Sequence, residues 1–340
     1  MRAARLHAIG EPLSVDDVPE PAVGPAEVLV EVGHCGVCAS DLHVRDGVTP
    51  AASLPLILGH EASGRVVRTT GDLAEGQWVM VFPGLWCGEC PACEAGRENL
   101  CRRRRFLGVD VDGAFAERIA VPVTAVAPIP QGVDPAQAAV ASDAVATAFH
   151  AVRRGGNPSG ARVAVYGAGG VGAHAILLAA ALGAGWIGAV DTDPVARDRA
   201  LSLGAAEAID PVDGKPARTI RRLSDGGVDV ALEFIGNIET MSQAVKSLRS
   251  GGRAVLVGLS PDELRLLPAA ALVAGELEVV GSFGASRAEL LELLGMLDAG
   301  DVDLSRSITH RMPLEEADRA LEMLRTREDH PLRIVLDVSP

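Results

Sequence analysis

Six cysteines carry the clearest chemical signal in this chain of 340 residues. Four of them, Cys87, Cys90, Cys93 and Cys101, follow the spacing Cys-x2-Cys-x2-Cys-x7-Cys. Four thiolates at this spacing can surround one zinc ion tetrahedrally and leave no open coordination position. An iron–sulfur cluster is the competing interpretation, but the bacterial run for such clusters ends in Cys-x3-Cys-Pro and this one does not. The pattern therefore predicts a closed, structural zinc site, so that any catalysis must lie elsewhere.

The two remaining cysteines form Cys-x-x-Cys, as Cys35 and Cys38 in the stretch HCGVCASDLH. Such a pair is compatible with half of a zinc knuckle, a redox dithiol or two unrelated thiols. His60, in the tripeptide Gly-His-Glu, places an imidazole beside a carboxylate. Cys38 and His60 are candidate ligands of a catalytic zinc, which takes three protein ligands and keeps the fourth position for water or substrate. The third ligand has to come from a distant segment.

A glycine-rich segment, GAGGVG at 167–172, fits the dinucleotide pattern G-x-G-x-x-G. It follows a predicted strand and opens a predicted helix, which is the context that the motif requires. The helix N-terminus supplies N–H groups to a pyrophosphate. Asp191 ends the next predicted strand, where its carboxylate can bond the adenosine ribose hydroxyls and repel a 2′-phosphate, so NAD is predicted rather than NADP. The predicted loop residues are Gly167, Gly169, Gly170, Val171 and Gly172.

Two kinds of structure are predicted around these residues. Short runs such as EVLVEV (27–32) and GRVVRT (64–69) indicate a β domain with irregular loops. From about residue 161, strands and helices alternate, which describes a doubly wound parallel six-stranded sheet of the Rossmann type. We expect the last strand, at 333–338, to return to the first domain. The strands predicted for the Rossmann sheet span 161–167, 186–191, 207–210, 228–236, 252–258 and 277–283.

The composition excludes several partners. The net charge of −14 argues against binding to nucleic acid or to an acidic membrane, because phosphate contacts need a basic surface. The N-terminal segment lacks the apolar core of a signal peptide, and the most apolar stretch, 175–184, is too short to cross a bilayer. We therefore expect a cytoplasmic protein, in which clustered cysteines favour metal binding over disulfides.

The motifs together resemble those of zinc-dependent alcohol dehydrogenases of the medium-chain dehydrogenase/reductase family, over essentially the whole chain. The resemblance implies a mainly β GroES-like catalytic domain, 1–145 with 284–340 returning to it, and a Rossmann NAD-binding domain, 146–283. It also implies reversible hydride transfer between a primary or secondary alcohol and NAD, two zinc ions per chain, and a homodimer or homotetramer. The motifs that carry it are GVCASDLH (36–43), GHE (59–61), the four-cysteine segment, GAGGVG and DGAFAERIAVP (112–122).

The resemblance also assigns roles to single residues. It makes Cys38 and His60 ligands of the catalytic zinc and places the third ligand at Asp143, where many members have cysteine. It makes Glu61 an occasional fourth ligand, and we expect Asp41 to orient His60, since ligating histidines usually donate their other N–H to an acceptor. The remaining roles that it implies are a proton relay from the alcohol through Ser40 and the nicotinamide ribose to His43 and solvent, a nicotinamide contact at Thr147 and a pyrophosphate contact at Arg287.

Several other residues are expected to have no direct role. Cys35 is expected to be a small buried residue that faces a different side of the same loop as Cys38. Phe82 and Trp86 are equally compatible with a substrate pocket and with the core. The histidines expected to pack or to lie at the surface are His34, His150 and His174.

Two alternative functions are compatible with the fold. One is a zinc-free reductase of activated double bonds in the same superfamily, which the presence of Cys38, His60 and Asp143 disfavours. The other is a non-catalytic NAD-responsive regulator, which would need neither Ser40 nor His43. The substrate cannot be predicted, because the loops that line the pocket determine it.

Overall fold

The computed structural model describes residues 1–69 and 72–339, which divide into two compact units. The first unit is Met1–Ala146 with Ala285–Pro340, and the second is Thr147–Gly284. The strands are β1 (Arg2–Leu6), β2 (Ser14–Asp17), β3 (Glu27–Val37), β4 (Leu56–Ile57), β5 (Glu61–Thr69), β6 (Trp78–Val81), β7 (Gly84–Leu85), β8 (Arg105–Phe106), β9 (Arg118–Pro122), β10 (Val126–Pro128), β11 (Arg162–Tyr166), β12 (Trp186–Val190), β13 (Glu207–Ile209), β14 (Val228–Glu233), β15 (Leu248–Leu256), β16 (Glu278–Gly281), β17 (Ile308–Pro313) and β18 (Arg333–Asp337).

The α-helices lie between these strands in the chain. They are α1 (Ala39–Arg45), α2 (Pro91–Glu94), α3 (Pro135–Val140), α4 (Ala146–Gly155), α5 (Gly172–Ala181), α6 (Pro194–Ser202), α7 (Pro216–Leu223), α8 (Ile238–Lys246), α9 (Ala269–Ala274), α10 (Arg287–Ala299) and α11 (Ala317–Thr326). A π-helical turn, Ala141–Val145, joins α3 to α4. Within residues 1–69 and 72–339, no helix has the length and apolar character needed to cross a membrane.

The first unit is mainly β. Its largest sheet has the order β10-β6-β5-β3-β18-β17, with β9 also pairing with β3. A second sheet has the order β2-β1-β4, and β7 pairs with β8. The long strand β3 lies antiparallel to β5, with Gly36 opposite Glu61. It also lies antiparallel to β18, with Val37 opposite Ile334. Segments that are distant in sequence therefore meet at the carboxyl end of β3, immediately before α1 begins.

A hydrophobic core holds this end of β3 in place. Val30, Val32, Ala62, Leu321 and Ile334 belong to one core cluster and are all fully buried. Burying a Val or Ile side chain of this kind contributes about 1.5–3 kcal/mol relative to leaving it exposed. The backbone on which the candidate metal ligands lie is therefore fixed by packing.

The second unit contains the predicted doubly wound sheet. Among the described residues, six strands pair in the order β13-β12-β11-β14-β15-β16, and every pair is parallel. The predicted Rossmann fold class is therefore confirmed. β11 and β14 are neighbours in the sheet but not in the chain, with Tyr166 opposite Glu233. The strand order reverses its direction between β11 and β14. Open parallel sheets bind ligands outside the carboxyl ends of their strands, at this point of reversal.

Some predicted elements are longer than the real ones. The predicted strand 228–236 ends at Glu233, because the chain turns through Gly236, whose φ is +80°, before α8 begins. Helix α6 similarly ends at Ser202, and Gly204 follows with φ +109°. Glycine adopts such positive φ values without steric cost, so it commonly marks the end of an element.

Candidate metal and cofactor sites

Four side chains from three separate segments of the first unit converge on one point. The ligand atoms of Cys38, His60, Glu61 and Asp143 all lie within 4.8 Å of one another. Oδ2 of Asp143 is 4.0 Å from Sγ of Cys38 and 3.5 Å from Nε2 of His60. Tetrahedral zinc ligands lie roughly 3.3–3.8 Å apart, given the usual zinc–ligand bond lengths. The spacing of these atoms is therefore close to that of a zinc site.

Asp41 holds two of these residues in place. Its Oδ2 accepts a hydrogen bond from the backbone N–H of Cys38, at 2.9 Å, and so caps α1. Its Oδ1 accepts from the backbone N–H of Gly59, at 3.1 Å, and lies 3.2 Å from Nδ1 of His60. Asp41 is 1% exposed, so these bonds are shielded from water. The arrangement directs the other ring nitrogen, Nε2 of His60, towards Asp143.

Asp143 reaches this point from the π-helical turn Ala141–Val145. A π-turn inserts one additional residue into a helix, and such turns often occur at functional sites because they redirect a side chain. The side chain of Asp143 is 24% exposed, whereas that of His60 is 7% exposed. The site is thus closed by His60 on its inner side and accessible beside Asp143.

The charge around these ligands suits a cation. Burial by itself lowers the pKa of His60, but the Asp41 carboxylate and hydrogen bonds with Asp143, Asp41 and Cys38 raise that pKa well above its ordinary value. Burial raises the pKa of Glu61 to about 7, although the Arg333 guanidinium opposes that rise. Thiolate, imidazole and carboxylate are the ligands that zinc takes, so this donor set fits zinc.

Arg333 is a buried residue of this site that sequence reasoning missed. Its Nη2 donates a hydrogen bond to Oε2 of Glu61, and the two side chains are 4% and 0% exposed. Oε1 of Glu61 has no hydrogen-bond partner among the residues that the structure describes. One oxygen of Glu61 is thus held by Arg333 and the other is available to the ligand cluster. The sequence feature that could have identified Arg333 is its position as a single arginine at the start of the apolar strand RIVLD.

The pair Cys35 and Cys38 is divided between two elements. The expectation that both lie on one loop is wrong, because Cys35 belongs to β3 whereas Cys38 is the N-cap residue of α1. Cys35 is fully buried, as expected, and burial raises the pKa of its thiol well above the ordinary value. Its Sγ lies 3.7 Å from the carbonyl oxygen of Gly36. Cys35 does not belong to the ligand cluster within the described chain.

Ser40 and His43 lie three residues apart on α1, so they share one side of that helix. Both side chains are exposed. The hydroxyl of Ser40 is 3.7 Å from Sγ of Cys38, which places it beside the ligand cluster. The relay that the resemblance implies therefore has a polar group next to the cluster and a histidine at the surface.

The four-cysteine segment forms a compact cluster of sulfur atoms. Sγ of Cys93 lies 3.6 Å from that of Cys90 and 3.9 Å from that of Cys87, and Sγ of Cys101 lies 3.5 Å from that of Cys87. A zinc–sulfur distance of about 2.3 Å puts tetrahedral sulfurs about 3.8 Å apart. The backbone N–H of Glu89 lowers the pKa of Cys87 to about 6, which favours the thiolate. The cluster therefore fits a fully coordinated zinc ion.

The glycine-rich loop of the second unit has the shape of a phosphate cradle. Gly167 has φ +88°, and a Cβ atom on Gly172 would lie 1.7 Å from the carbonyl oxygen of Gly167. By contrast, a Cβ atom on Gly169 would meet no described atom within 4 Å, so this side of the loop is open. Oδ2 of Asp191 accepts from the backbone N–H of Ala168, at 2.7 Å. The loop and Asp191 are therefore hydrogen-bonded to each other, and together they fit a dinucleotide.

Other residues singled out in the sequence lie as follows. His34 stacks on Trp78, with ring centroids 5.7 Å apart, and its Nδ1 is 2.9 Å from Oδ1 of Asp337. Nδ1 of His174 donates to the carbonyl oxygen of Gly170, at 2.6 Å. Phe82 is fully buried, stacks on Trp86 and belongs to the core. Half-buried residues of α4 include Thr147 and His150, and Arg287 begins α10 in the first unit.

Comparison with known proteins decides the family. Residues 24–131 match the family model described as alcohol dehydrogenase GroES-like domain, and residues 170–299 match the one described as zinc-binding dehydrogenase. The chain is 32% identical over 337 residues to an NAD-dependent alcohol dehydrogenase of Sulfurisphaera tokodaii, covering 95% of this chain and 96% of that one. The chain belongs to the zinc-dependent alcohol dehydrogenase family.

Further members of this zinc-dependent alcohol dehydrogenase family agree with the assignment. The solved structure of the alcohol dehydrogenase TADH from Thermus sp. ATN1 superposes with a TM-score of 0.93 at 33% identity, covering 100% of both chains. An L-threonine 3-dehydrogenase of Bacillus licheniformis is 32% identical over 325 residues, covering 93% of each chain. The chain is therefore an oxidoreductase of the medium-chain dehydrogenase/reductase type. Its relatives act on different substrates at equal identity, so the family does not define the substrate.

The carboxyl edge of the second unit's sheet holds further residues that sequence reasoning missed. Ile235, Leu259 and Phe283 follow β14, β15 and β16, and they are 50%, 79% and 36% exposed. Large apolar side chains exposed at the edge where the glycine-rich loop lies indicate a ligand-binding surface. Their positions just after parallel strands were the signal that could have identified them.

Proposed function

We propose that this protein oxidises a primary or secondary alcohol to an aldehyde or ketone with NAD, reversibly, at a zinc ion held by Cys38, His60 and Asp143. The observation that carries the proposal is the convergence of these three ligand types, from three separate segments, within 4.8 Å. When bound, zinc polarises the substrate oxygen as a Lewis acid and NAD accepts the hydride. The protein supplies the ligands, the proton path and the cofactor surface.

The ligand set leaves room for a substrate. Three protein ligands are typical of catalytic zinc, whereas the four cysteines of the structural site leave no open position. Glu61 is an occasional fourth ligand, since Arg333 holds only its Oε2. Asp41 fixes the orientation of His60 and so keeps Nε2 directed at the metal position. A second zinc ion per chain, held by the four-cysteine segment, stabilises the fold.

The proton of the alcohol leaves through α1. Ser40, whose hydroxyl lies beside the ligand cluster, would accept this proton while donating its own through the nicotinamide ribose to His43. His43 lies one helical turn further on and is exposed, so it can pass the proton to solvent. Histidine is suited to this step because its imidazole ring can both accept and donate a proton.

NAD binds to the second unit in this proposal. The pyrophosphate lies against the loop from Gly167 to Gly172, and Asp191 bonds the adenosine ribose. The 2′-phosphate on the adenosine ribose of NADP would bring negative charge towards the carboxylate of Asp191, so NADP is disfavoured. Thr147 beside the nicotinamide and Arg287 at the pyrophosphate stay predictions of the family resemblance. The cytoplasmic location stays a prediction from the N-terminal segment and the hydropathy of the sequence.

A homodimer or homotetramer is proposed as the assembly. β16 pairs only with β15 among the described strands, so its other edge has backbone groups available to pair with another strand. No residue of the apolar helix α9 is buried, and Val273 is 72% exposed. Light scattering coupled to gel filtration measures the mass directly, and a monomer across the micromolar range would contradict this part of the proposal.

A turnover assay tests the proposed reaction against its alternatives. Purified protein is incubated with a panel of alcohols, ketones and activated alkenes, with NAD(H) or NADP(H), before and after zinc removal. We expect NAD-linked alcohol oxidation that is lost on chelation and restored by zinc. Alkene reduction that survives chelation would favour the zinc-free reductase, and NADH binding without turnover of any compound would favour the regulator.

A further inference from the structure

A buried carboxylate ends the strand at the point of reversal of the dinucleotide sheet. Glu233, the last residue of β14, is fully buried. Its Oε1 accepts hydrogen bonds from the backbone N–H groups of Ile235 and Gly236, both at 3.0 Å, and from Oγ1 of Thr240, at 2.7 Å. Its Oε2 accepts a longer bond from Gly236, at 3.2 Å. Burying a carboxylate is costly unless its oxygens accept hydrogen bonds. These bonds therefore hold the turn at Ile235 and Gly236, and the start of α8, against Glu233.

The backbone of Glu233 connects this segment to the next strand. Its carbonyl oxygen accepts from the N–H of Val257, at 2.9 Å, and from that of Gly258, at 3.1 Å. The two segments are in direct backbone contact, because a Cβ atom on Gly258 would lie 2.0 Å from the nitrogen of Gly236. Glu233 therefore fixes the turn after β14 and, through it, the turn after β15.

The turn that Glu233 holds lies against the glycine-rich loop. A Cβ atom on Gly167 would lie 2.7 Å from Cγ1 of Ile235, so these two residues touch. Ile235 is nevertheless 50% exposed, which leaves an apolar surface beside the loop. In doubly wound folds the dinucleotide binds at this edge, between the strands at the point of reversal. The turn 234–237 is thus one wall of the place where the cofactor is proposed to bind.

We propose that Glu233 is a positioning residue for NAD: its carboxylate holds Ile235 and Gly236 in the conformation against which the cofactor binds. The inference rests on the proposed function, since NAD is taken as the cofactor. A purely structural role, in which Glu233 only stabilises the start of α8, predicts a lower melting temperature without a selective loss of cofactor affinity.

The variant Glu233→Gln tests the proposal with little change in shape. Glutamine keeps one acceptor oxygen but places an NH2 group where Oε2 now accepts from Gly236. Glu239→Gln is the matched control, because it removes the same charge from an exposed residue in the first turn of α8. Oε1 of Glu239 accepts a hydrogen bond from Nε2 of Gln243, on the same helix. Affinity for NADH is measured by fluorescence titration, alongside KM, kcat and the melting temperature.

We expect Glu233→Gln to raise the Kd for NADH and the KM for NAD about 5-fold, the factor that corresponds to the loss of one ordinary hydrogen bond, because glutamine keeps one acceptor oxygen. The KM for the alcohol and kcat are expected to change less than about 2-fold, and Glu239→Gln is expected to match the wild type. Thr240→Val removes only the hydroxyl donor and is expected to raise the Kd by a smaller factor.

An unchanged Kd for NADH in Glu233→Gln would overturn the inference, as would equal losses in KM for the alcohol and in KM for NAD. If that variant does not fold, Thr240→Val decides, and an unchanged Kd there would overturn the inference as well. Failure of the proposed function is recognised separately, because the wild type would then bind no NADH or turn over no alcohol with NAD.

Discussion

The buried carboxylate of Glu61 is paired with the guanidinium of Arg333, 272 residues later in the chain. Glu61 follows the candidate ligand His60, and Arg333 begins β18, which lies beside β3 in the same sheet. The pair therefore connects the candidate metal site to the C-terminal strand. Removing one partner of such a pair leaves the other charge buried without compensation, which is costly.

Arg333→Leu is expected to lower the free energy of unfolding by about 3–5 kcal/mol, the usual cost of breaking a buried ion pair. Arg333→Lys keeps the charge and is expected to cost less. The double variant of Glu61→Gln with Arg333→Leu is expected to recover part of the loss, because no charge remains unpaired. Urea denaturation of the zinc-loaded protein measures all three, and equal stability of Arg333→Leu and the wild type would contradict the argument.

Cys90→Ser tests the structural zinc. The substitution removes one of four ligands from a site that has no spare position, so we expect a lower melting temperature and the loss of about one zinc ion per chain. Metal analysis by mass spectrometry, with scanning calorimetry, measures both quantities. Full metal content together with unchanged stability would show that the four-cysteine segment is not a zinc site.

Asp191 is expected to set the cofactor preference. We expect the wild type to prefer NAD, and Asp191→Ser to shift the ratio of kcat/KM values towards NADP, because the carboxylate that repels a 2′-phosphate is gone. Asp198→Asn, on the exposed side of α6, removes the same charge and is expected to leave the ratio unchanged. Equal efficiency of the wild-type protein with both cofactors would disprove the assignment.

Asp143 is expected to make the catalytic zinc easier to remove than a cysteine would. A carboxylate is a harder ligand than a thiolate, and zinc binds thiolates well. We therefore expect Asp143→Cys to lose its catalytic zinc to a chelator more slowly than the wild type does. A colorimetric chelator follows the release over time, and equal or faster release from the variant would contradict the prediction.

The parts of the fold that local sequence patterns encode were predicted best. Alternating apolar segments and a glycine-rich loop indicated the Rossmann sheet, because each strand and its following helix are recognisable from their own residues. The family resemblance predicted Asp143 as a ligand. Asp143 reaches the cluster from a π-helical turn, which no local sequence pattern predicted. The short spacing of Cys35 and Cys38 suggested one shared loop, whereas Cys35 belongs to β3 and Cys38 caps α1.

Contacts across the sheet could not be predicted in this way. Arg333 reaches Glu61 only because β18 pairs with β3 and β3 pairs with β5. The role inferred for Glu233 likewise depends on β14 lying beside β11, which brings Ile235 against Gly167. These contacts depend on the order of the strands in the sheet. The spacing of residues along the chain carries little information about that order.

The most direct test of the account compares Cys38→Ser with Cys35→Ser, measuring zinc per chain and NAD-linked alcohol oxidation on the same preparations. Cys38 belongs to the ligand cluster, whereas Cys35 is fully buried in β3. We predict that Cys38→Ser abolishes turnover and loses about one zinc ion while the structural zinc remains. Cys35→Ser is predicted to keep most of its activity and both metal ions, with a small change in stability. Equal loss of zinc and turnover in the two variants would show that the cysteines act together, and the proposed catalytic site would be wrong.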